Sequence, residues 1–179
     1  MCGGMSYSAI DYFLANQPIP AITTNPPALG DPYFDFISTR LYDSFHLPLG
    51  PLNTYIPYTS ADFPPQQRPY VTIKDAIPRI RGQIVEGRPA ALGLIGAVSN
   101  DIVNALGKNH QVLAYSYSRN GPWVRLGIYD CNLPDDDTLF IEINAESFAV
   151  LDLNHNTSMS NIYMFFDTNY TPTALPLPA

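Results

Sequence analysis

Cys2, His110 and Asp130 are the three residue types that a nucleophilic thiol centre needs, in a chain order that lets a fold bring them together. The chain opens Met1-Cys2-Gly3-Gly4-Met5-Ser6-Tyr7, directly ahead of a helical apolar pattern. Thiolate, not thiol, is the attacking species. A helix N-terminus favours it, because unpaired N–H groups and the helix dipole stabilise negative charge there. Gly3 and Gly4 let backbone approach closely and bare the N–H groups that hold an oxyanion. His110 opens a strand in Asn109-His110-Gln111-Val112, and Asp130 closes the next in Ile128-Tyr129-Asp130-Cys131-Asn132. An imidazole takes the thiol proton, and a carboxylate or amide fixes the ring's tautomer.

The two strands flank Asn120-Gly121-Pro122, a turn signal, so a hairpin is expected that pairs 115 with 125 and 110 with 130. Directly opposed residues have Cβ atoms about 5 Å apart, the reach that an orienting carboxylate requires. The alternative for Asp130 is capping the turn that follows, placed behind orientation of the ring, and Asn132 is a second candidate for holding the ring. Other chemistry-bearing residues read more plainly. A lone cysteine is most often a small buried hydrophobe, the reading given to Cys131. His46 ends a helix, where a cation suits the dipole, and His155 lies in a polar loop. Asp135-Asp136-Asp137 lacks the spaced ligands, Gly and distal Glu of a calcium loop. No metal site and no cofactor are expected.

These residues need elements to position them. Residues 4–15 carry apolar residues at helical spacing and are stopped by Asn16-Gln17-Pro18. Residues 31–46 form a second helix, with Asp31 as N-cap, Pro32 in the first turn and Phe34, Ile37, Leu41 and Phe45 on one face. Residues 72–86 form a third, which Pro78 kinks or breaks. After Gly87 the texture changes to short apolar runs at 89–96, 110–117, 123–130 and 138–143, with a last strand at 162–166. Residues 99–109 are a loop or a short helix. Helices precede strands, so the class is α+β, with N-terminal helices packed on a C-terminal antiparallel sheet. One domain spans 1–179: a helical part to about 86, a sheet part from about 87 to 170, and a Pro-rich tail at 171–179. The 18 prolines cluster in three stretches, which read as irregular connections.

Composition narrows the function. An apolar share of 46% and a charged share of 14% fit a globular chain. The net charge of -7, with Lys and Arg scattered, argues against nucleic acid, whose phosphates require a basic face. No run approaches the ~18 apolar residues of a membrane span. No basic segment with an apolar run behind it opens the chain, so no signal peptide is expected. Compartment and oligomeric state are left open. Two cysteines do not make a disulfide framework.

The segments CGGMSYSAIDYF, GRPAALGLIG, NHQVLAYSY and IYDCNLPDDD, over roughly residues 1–20 and 87–143, resemble bacterial papain-like proteins akin to the cysteine peptidases that trim bacteriocin leaders. That resemblance implies a papain-like fold, with Cys2 as nucleophile, His110 as base and Asp130 as orienter. The expected activity is thiol hydrolysis of peptide or amide bonds, with a peptide or protein as substrate. Two alternatives stand beside it. One is a papain-like binding or structural module with weak or absent catalysis. The other is an N-terminal-Cys amidohydrolase, which requires removal of Met1 so that the new amine serves as base. The groove is expected between the helical part and the sheet, with the Pro-rich 47–70 segment as wall or lid and Tyr55, Tyr58 and Tyr70 as its anchors.

Overall fold

The structure is a computed structural model that describes residues 1–20, 27–45 and 52–176, the side chains of Leu52 and Asn53 excepted. Helices lead and strands follow: α1 (Cys2–Leu14), α2 (Pro32–Phe45), α3 (Leu52–Thr59), α4 (Gln67–Tyr70), a π-helical stretch (Val71–Ala76), α5 (Ile77–Val85), β1 (Ala90–Ile95), α6 (Ile102–Leu106), β2 (His110–Asn120), β3 (Trp123–Tyr129), β4 (Phe140–Asn144), β5 (Leu153–Asn156) and β6 (Met164–Asp167). The six strands form one sheet in the order β5-β4-β3-β2-β1-β6, with every neighbouring pair antiparallel. The class is α+β, as the order of sequence patterns predicts.

Period-2 alternation buries β1 on both faces. Ala91 of β1 and Leu113 of β2 face Tyr7, Ala9 and Ile10 of α1. Leu92, Leu94, Val112 and Ala114 turn the other way, into the main core with Leu126, Ile128, Ile141 and Phe165. Ile73, Ala76, Ile77 and Ile80 cap that core from the helical run that ends in α5. The sheet is thus sandwiched, and α1 is the helix laid on the face nearest the start of β2.

Several expectations are corrected. The Pro-rich 47–70 segment is not irregular throughout: α3 runs through it with Pro57 inside the helix, and α4 follows. Pro78 does not break its helix. It sits in the first turn of α5, and the preceding wider π turn runs straight into it. A residue that lacks an N–H and crowds the preceding turn fits such a start. On α2 the buried residues are Tyr33, Ile37, Arg40 and Ser44, one step round from the predicted stripe. His155 is not in a loop. It lies half-buried on β5 opposite Ile141, with Nδ1 beside Thr157. His46 lies outside the described residues.

Position α1 carries the first of the chemistry-bearing residues, and its seat is polar as well as apolar. Asp11 and Arg40 form an ion pair at 2.6 Å, with side chains 0% and 3% exposed. Arg40 lies near the rings of Tyr7 and Tyr170 and donates to the Thr171 carbonyl at 2.6 Å. The Tyr170 hydroxyl and the Thr173 N–H both donate to Asp11. A buried carboxylate is tolerable only when paired and fully hydrogen-bonded, and here residues 170–173 complete its shell.

Candidate functional site

Cys2 is the first residue of α1, His110 the first of β2, and Asp130 follows the last residue of β3. Three termini therefore converge. Asn109 anchors the start of β2: its Oδ1 accepts the Gly96 N–H at 3.1 Å and its Nδ2 donates to Thr59 Oγ1 at 2.8 Å. The Ser6 hydroxyl donates to the Gln111 carbonyl at 3.1 Å. That bond ties the first turns of α1 to the residue beside His110.

The glycines account for how close α1 can come. A Cβ on Gly4 would run into the backbone carbonyl of Ile37 on α2, and one on Gly3 would strike Ser44 Oγ and the Gln111 amide. Gly3 and Gly4 thus serve close packing of α1 on α2 and β2.

The His110 side chain, 8% exposed, meets the wholly buried Asp130 carboxylate through Nε2 at 2.7 Å from Oδ1. The Cys2 thiol lies close enough to the same imidazole for each to shift the other's proton affinity. The second carboxylate oxygen is also held: Ser158 Oγ donates to Asp130 Oδ2 at 2.6 Å and Ser158 N–H at 3.0 Å. The Asn132 N–H donates to Oδ1 at 3.0 Å, and its side-chain amide donates to Ser158 Oγ at 3.2 Å. Asn132 therefore braces the carboxylate and its serine, not the ring. Asp130 both holds the imidazole and caps the turn after it, so the two readings of that residue hold together.

The electrostatics follow from these contacts. Burial disfavours every charged form here, yet hydrogen bonds and mutual attraction outweigh it. Burial pushes the Cys2 thiol up, but His110 and the Gln111 N–H bring it below its ordinary value. Burial pushes His110 down, while Asp130 and Cys2 raise it from 6.5 to about 9. Burial pushes Asp130 up, while His110, Ser158 and the Asn132 N–H lower it from 3.8 to about 2. All three shifts favour a thiolate–imidazolium–carboxylate row. Cys131 is the opposite case: it is buried, and burial pushes its thiol up to about 12, as expected of an inert cysteine. Neither cysteine is in a disulfide.

His110, Asp130 and Cys131 bring potential metal-ligand atoms within 4.8 Å of one another. Asp130 has both oxygens and His110 its Nε2 engaged in the bonds above, so a metal there would have to break them.

Two cavities meet at Cys2 and His110. The larger, about 980 Å³, is polar, with Asn109, Asn132, Ser158 and Asn161 among its walls. The smaller, about 260 Å³, lies against Leu41, Phe45, Tyr55 and Leu106. The expected 47–70 wall holds in part: Tyr55 lines the small cavity, while Tyr58 packs on Phe63 and Phe166 and Tyr70 is 62% exposed. The main groove is bounded by Met1, Cys2 and Met5, by the 96–109 segment with α6 inside it, and by residues 158–163.

Ser158 is the residue that sequence reasoning missed. It sits in a polar stretch, Asn156-Thr157-Ser158, with no local signal. Only the return of the chain after β5 brings it to Asp130.

No family model, curated protein sequence or solved structure matches this chain. Among the described residues no helix is long and apolar enough to cross a membrane.

Proposed function

We propose that the chain is a papain-like thiol hydrolase that cleaves peptide or amide bonds with Cys2 as nucleophile, His110 as acid and base, and Asp130 as the group that holds the ring. The observation that carries this reading is the unbroken row Cys2–His110–Asp130, with the thiol at a helix N-terminus, below its ordinary pKa and facing an open groove. A structural ion pair has no need of a thiolate at the mouth of a cavity of about 980 Å³.

In this reading the Cys2 thiolate adds to the substrate carbonyl carbon. The N–H groups of the first turn of α1, at Cys2, Gly3 and Gly4, are short of intrahelical acceptors and take the developing oxyanion. The His110 imidazolium gives its proton to the leaving amine as the C–N bond breaks, leaving a thioester on Cys2. Neutral His110 then removes a proton from water, which attacks the thioester and frees the acid and the thiolate. Asp130 stays ionised throughout and keeps the ring turned to the sulfur.

The test pairs reactivity with turnover. Iodoacetamide at pH 6.5 is expected to modify Cys2 at least tenfold faster than an unperturbed cysteine peptide. A mixed peptide pool is expected to be cleaved by the natural chain and by Cys131→Ala but not by Cys2→Ala, read by mass spectrometry. A Cys2 no more reactive than the peptide overturns the thiolate. An activated Cys2 that cleaves nothing and binds pool peptides makes the chain a binding module.

A further inference from the structure

We infer that the small cavity beside Cys2 is a specificity pocket that takes one uncharged apolar side chain or short acyl chain next to the bond attacked. The inference rests on the hydrolase reading above and adds to it what the substrate must look like.

Cys2 and His110 themselves form part of the lining, together with Gly3. Any occupant is therefore within reach of the sulfur, and the cavity is a continuation of the reacting site. Its walls come from three separate elements: Leu41 and Phe45 of α2, Tyr55 of α3 and Leu106 of α6. Tyr55 is fixed from behind, with its ring edge-on to Phe166 and its hydroxyl donating to the His110 carbonyl at 3.4 Å. Gln111 also lines the cavity, with its amide nitrogen turned to Ser44 Oγ at 3.5 Å. Among the described residues no Asp, Glu, Lys or Arg side chain lines it.

Size and polarity then select the occupant. A volume of about 260 Å³ holds one side chain and not a folded segment. A charged group there would lose its water, and the side-chain charges in the wall, those of Cys2 and His110, already pair with each other and with Asp130, so its burial is costly, whereas an apolar group gains by leaving water. The groove on the other flank is different in kind. It is nearly four times as large by volume, about 980 against 260 Å³, and its lining includes Asp101, Lys108 and several amides and hydroxyls. The site is thus asymmetric: one apolar anchor in the small cavity, and a longer polar stretch of substrate in the groove.

The experiment uses the thiol itself as reporter, so it needs no known substrate. Cys2 is labelled with chloroacetamides bearing N-isobutyl, N-benzyl, N-carboxyethyl or N-aminoethyl groups, and each rate is divided by the rate of the same reagent with glutathione. The isobutyl and benzyl reagents are expected to be favoured about tenfold over the charged ones. In Leu106→Trp and Leu41→Trp, which fill the cavity from α6 and from α2, that ratio is expected to fall to about one, with folding checked by thermal unfolding. Equal normalised rates in the natural chain overturn the inference, as does a preference that survives both variants. Failure of the hydrolase reading shows separately, as iodoacetamide labelling of Cys2 no faster than that of an ordinary thiol, while the reagent ranking still reports on the cavity.

Discussion

Asp130 reaches His110 at 2.7 Å although the hairpin ladder does not set them opposite one another. The ladder pairs Leu113 with Tyr129, and continued to His110 it arrives at Asn132. The contact is diagonal, made by two side chains reaching along the strand ends, and Asn132 is left to brace the carboxylate from across. Removing the carboxylate charge while keeping the shape therefore acts on the ring and, through it, on the thiol.

Asp130→Asn is expected to lower the His110 pKa and to raise that of Cys2 toward an ordinary thiol. Alkylation of Cys2 at pH 6.5 is expected to slow about tenfold or more, with recovery at pH 9 where any thiol ionises. The pH profile of labelling, followed by peptide mapping, checks it. A profile that superimposes on the natural one removes the link between Asp130 and the thiol.

Ser158→Ala removes the hydroxyl that donates to Asp130 Oδ2 but leaves the backbone N–H in place. A hydrogen bond to a charged group is worth about 1.5–3 kcal/mol, so a stability loss in that range is expected on chemical denaturation. Asp130 then titrates at higher pH, and the acid limb of Cys2 labelling moves up with it. Ser158→Thr keeps the hydroxyl and is expected to restore the limb. A stability loss with no movement of the limb would make Ser158 a structural residue alone.

The His110 pair also makes stability depend on pH. The folded-state pKa of about 9 lies above the ordinary 6.5, so the folded state binds the proton more tightly. The contribution is complete below 6.5 and is lost as pH rises through 9. Asp130, lowered to about 2 from 3.8, contributes above 3.8 and loses that contribution as pH falls toward 2. Thermal unfolding is expected to show a decline between pH 6.5 and 9 that is flattened in His110→Gln. The pair titrates as a unit, so Cys2→Ser is expected to move the same decline.

Gly4→Ala tests the seat of α1. The new methyl meets the Ile37 carbonyl, a backbone atom that cannot turn aside. Overpacking of this kind costs about 1–3 kcal/mol, read as a lowered unfolding midpoint. Because Cys2 lies two residues away on the same helix, its labelling at pH 6.5 is expected to slow as well. Gly82→Ala, at an α5 position with open space around it, is the matching control.

The sequence carried a good deal of this in plain form. Helical spacing in the first fifteen residues and alternation in 110–117 and 123–130 are enough to find α1, β2 and β3, and with them the termini on which Cys2, His110 and Asp130 stand. What escaped had physical reasons. The register differs from the turn onward: Asn120 pairs with Trp123 across Gly121-Pro122, three positions from the expected pairing, and the shift between Ala114 and Ser116 takes back one, an irregularity that leaves no mark in an apolar pattern. The β5 strand, Leu153-Asn154-His155-Asn156, lies at a sheet edge where half of its residues meet water, so its composition reads as loop. The helices within 52–70 are hidden by their prolines, of which Pro57 lies inside α3, a position that reads as a helix break. Ser158 was invisible because its partner is distant in sequence and its own neighbourhood is merely polar.

The seat of α1 sets an order of events in synthesis. Tyr7 donates to the Thr168 carbonyl, and Asp11 and Arg40 are completed by Tyr170, Thr171 and Thr173. A growing chain makes Cys2 before His110 and Asp130, and all three before residues 168–173, which clamp the first helix. The alignment of the thiol with the imidazole therefore waits on a segment synthesised after every member of the row.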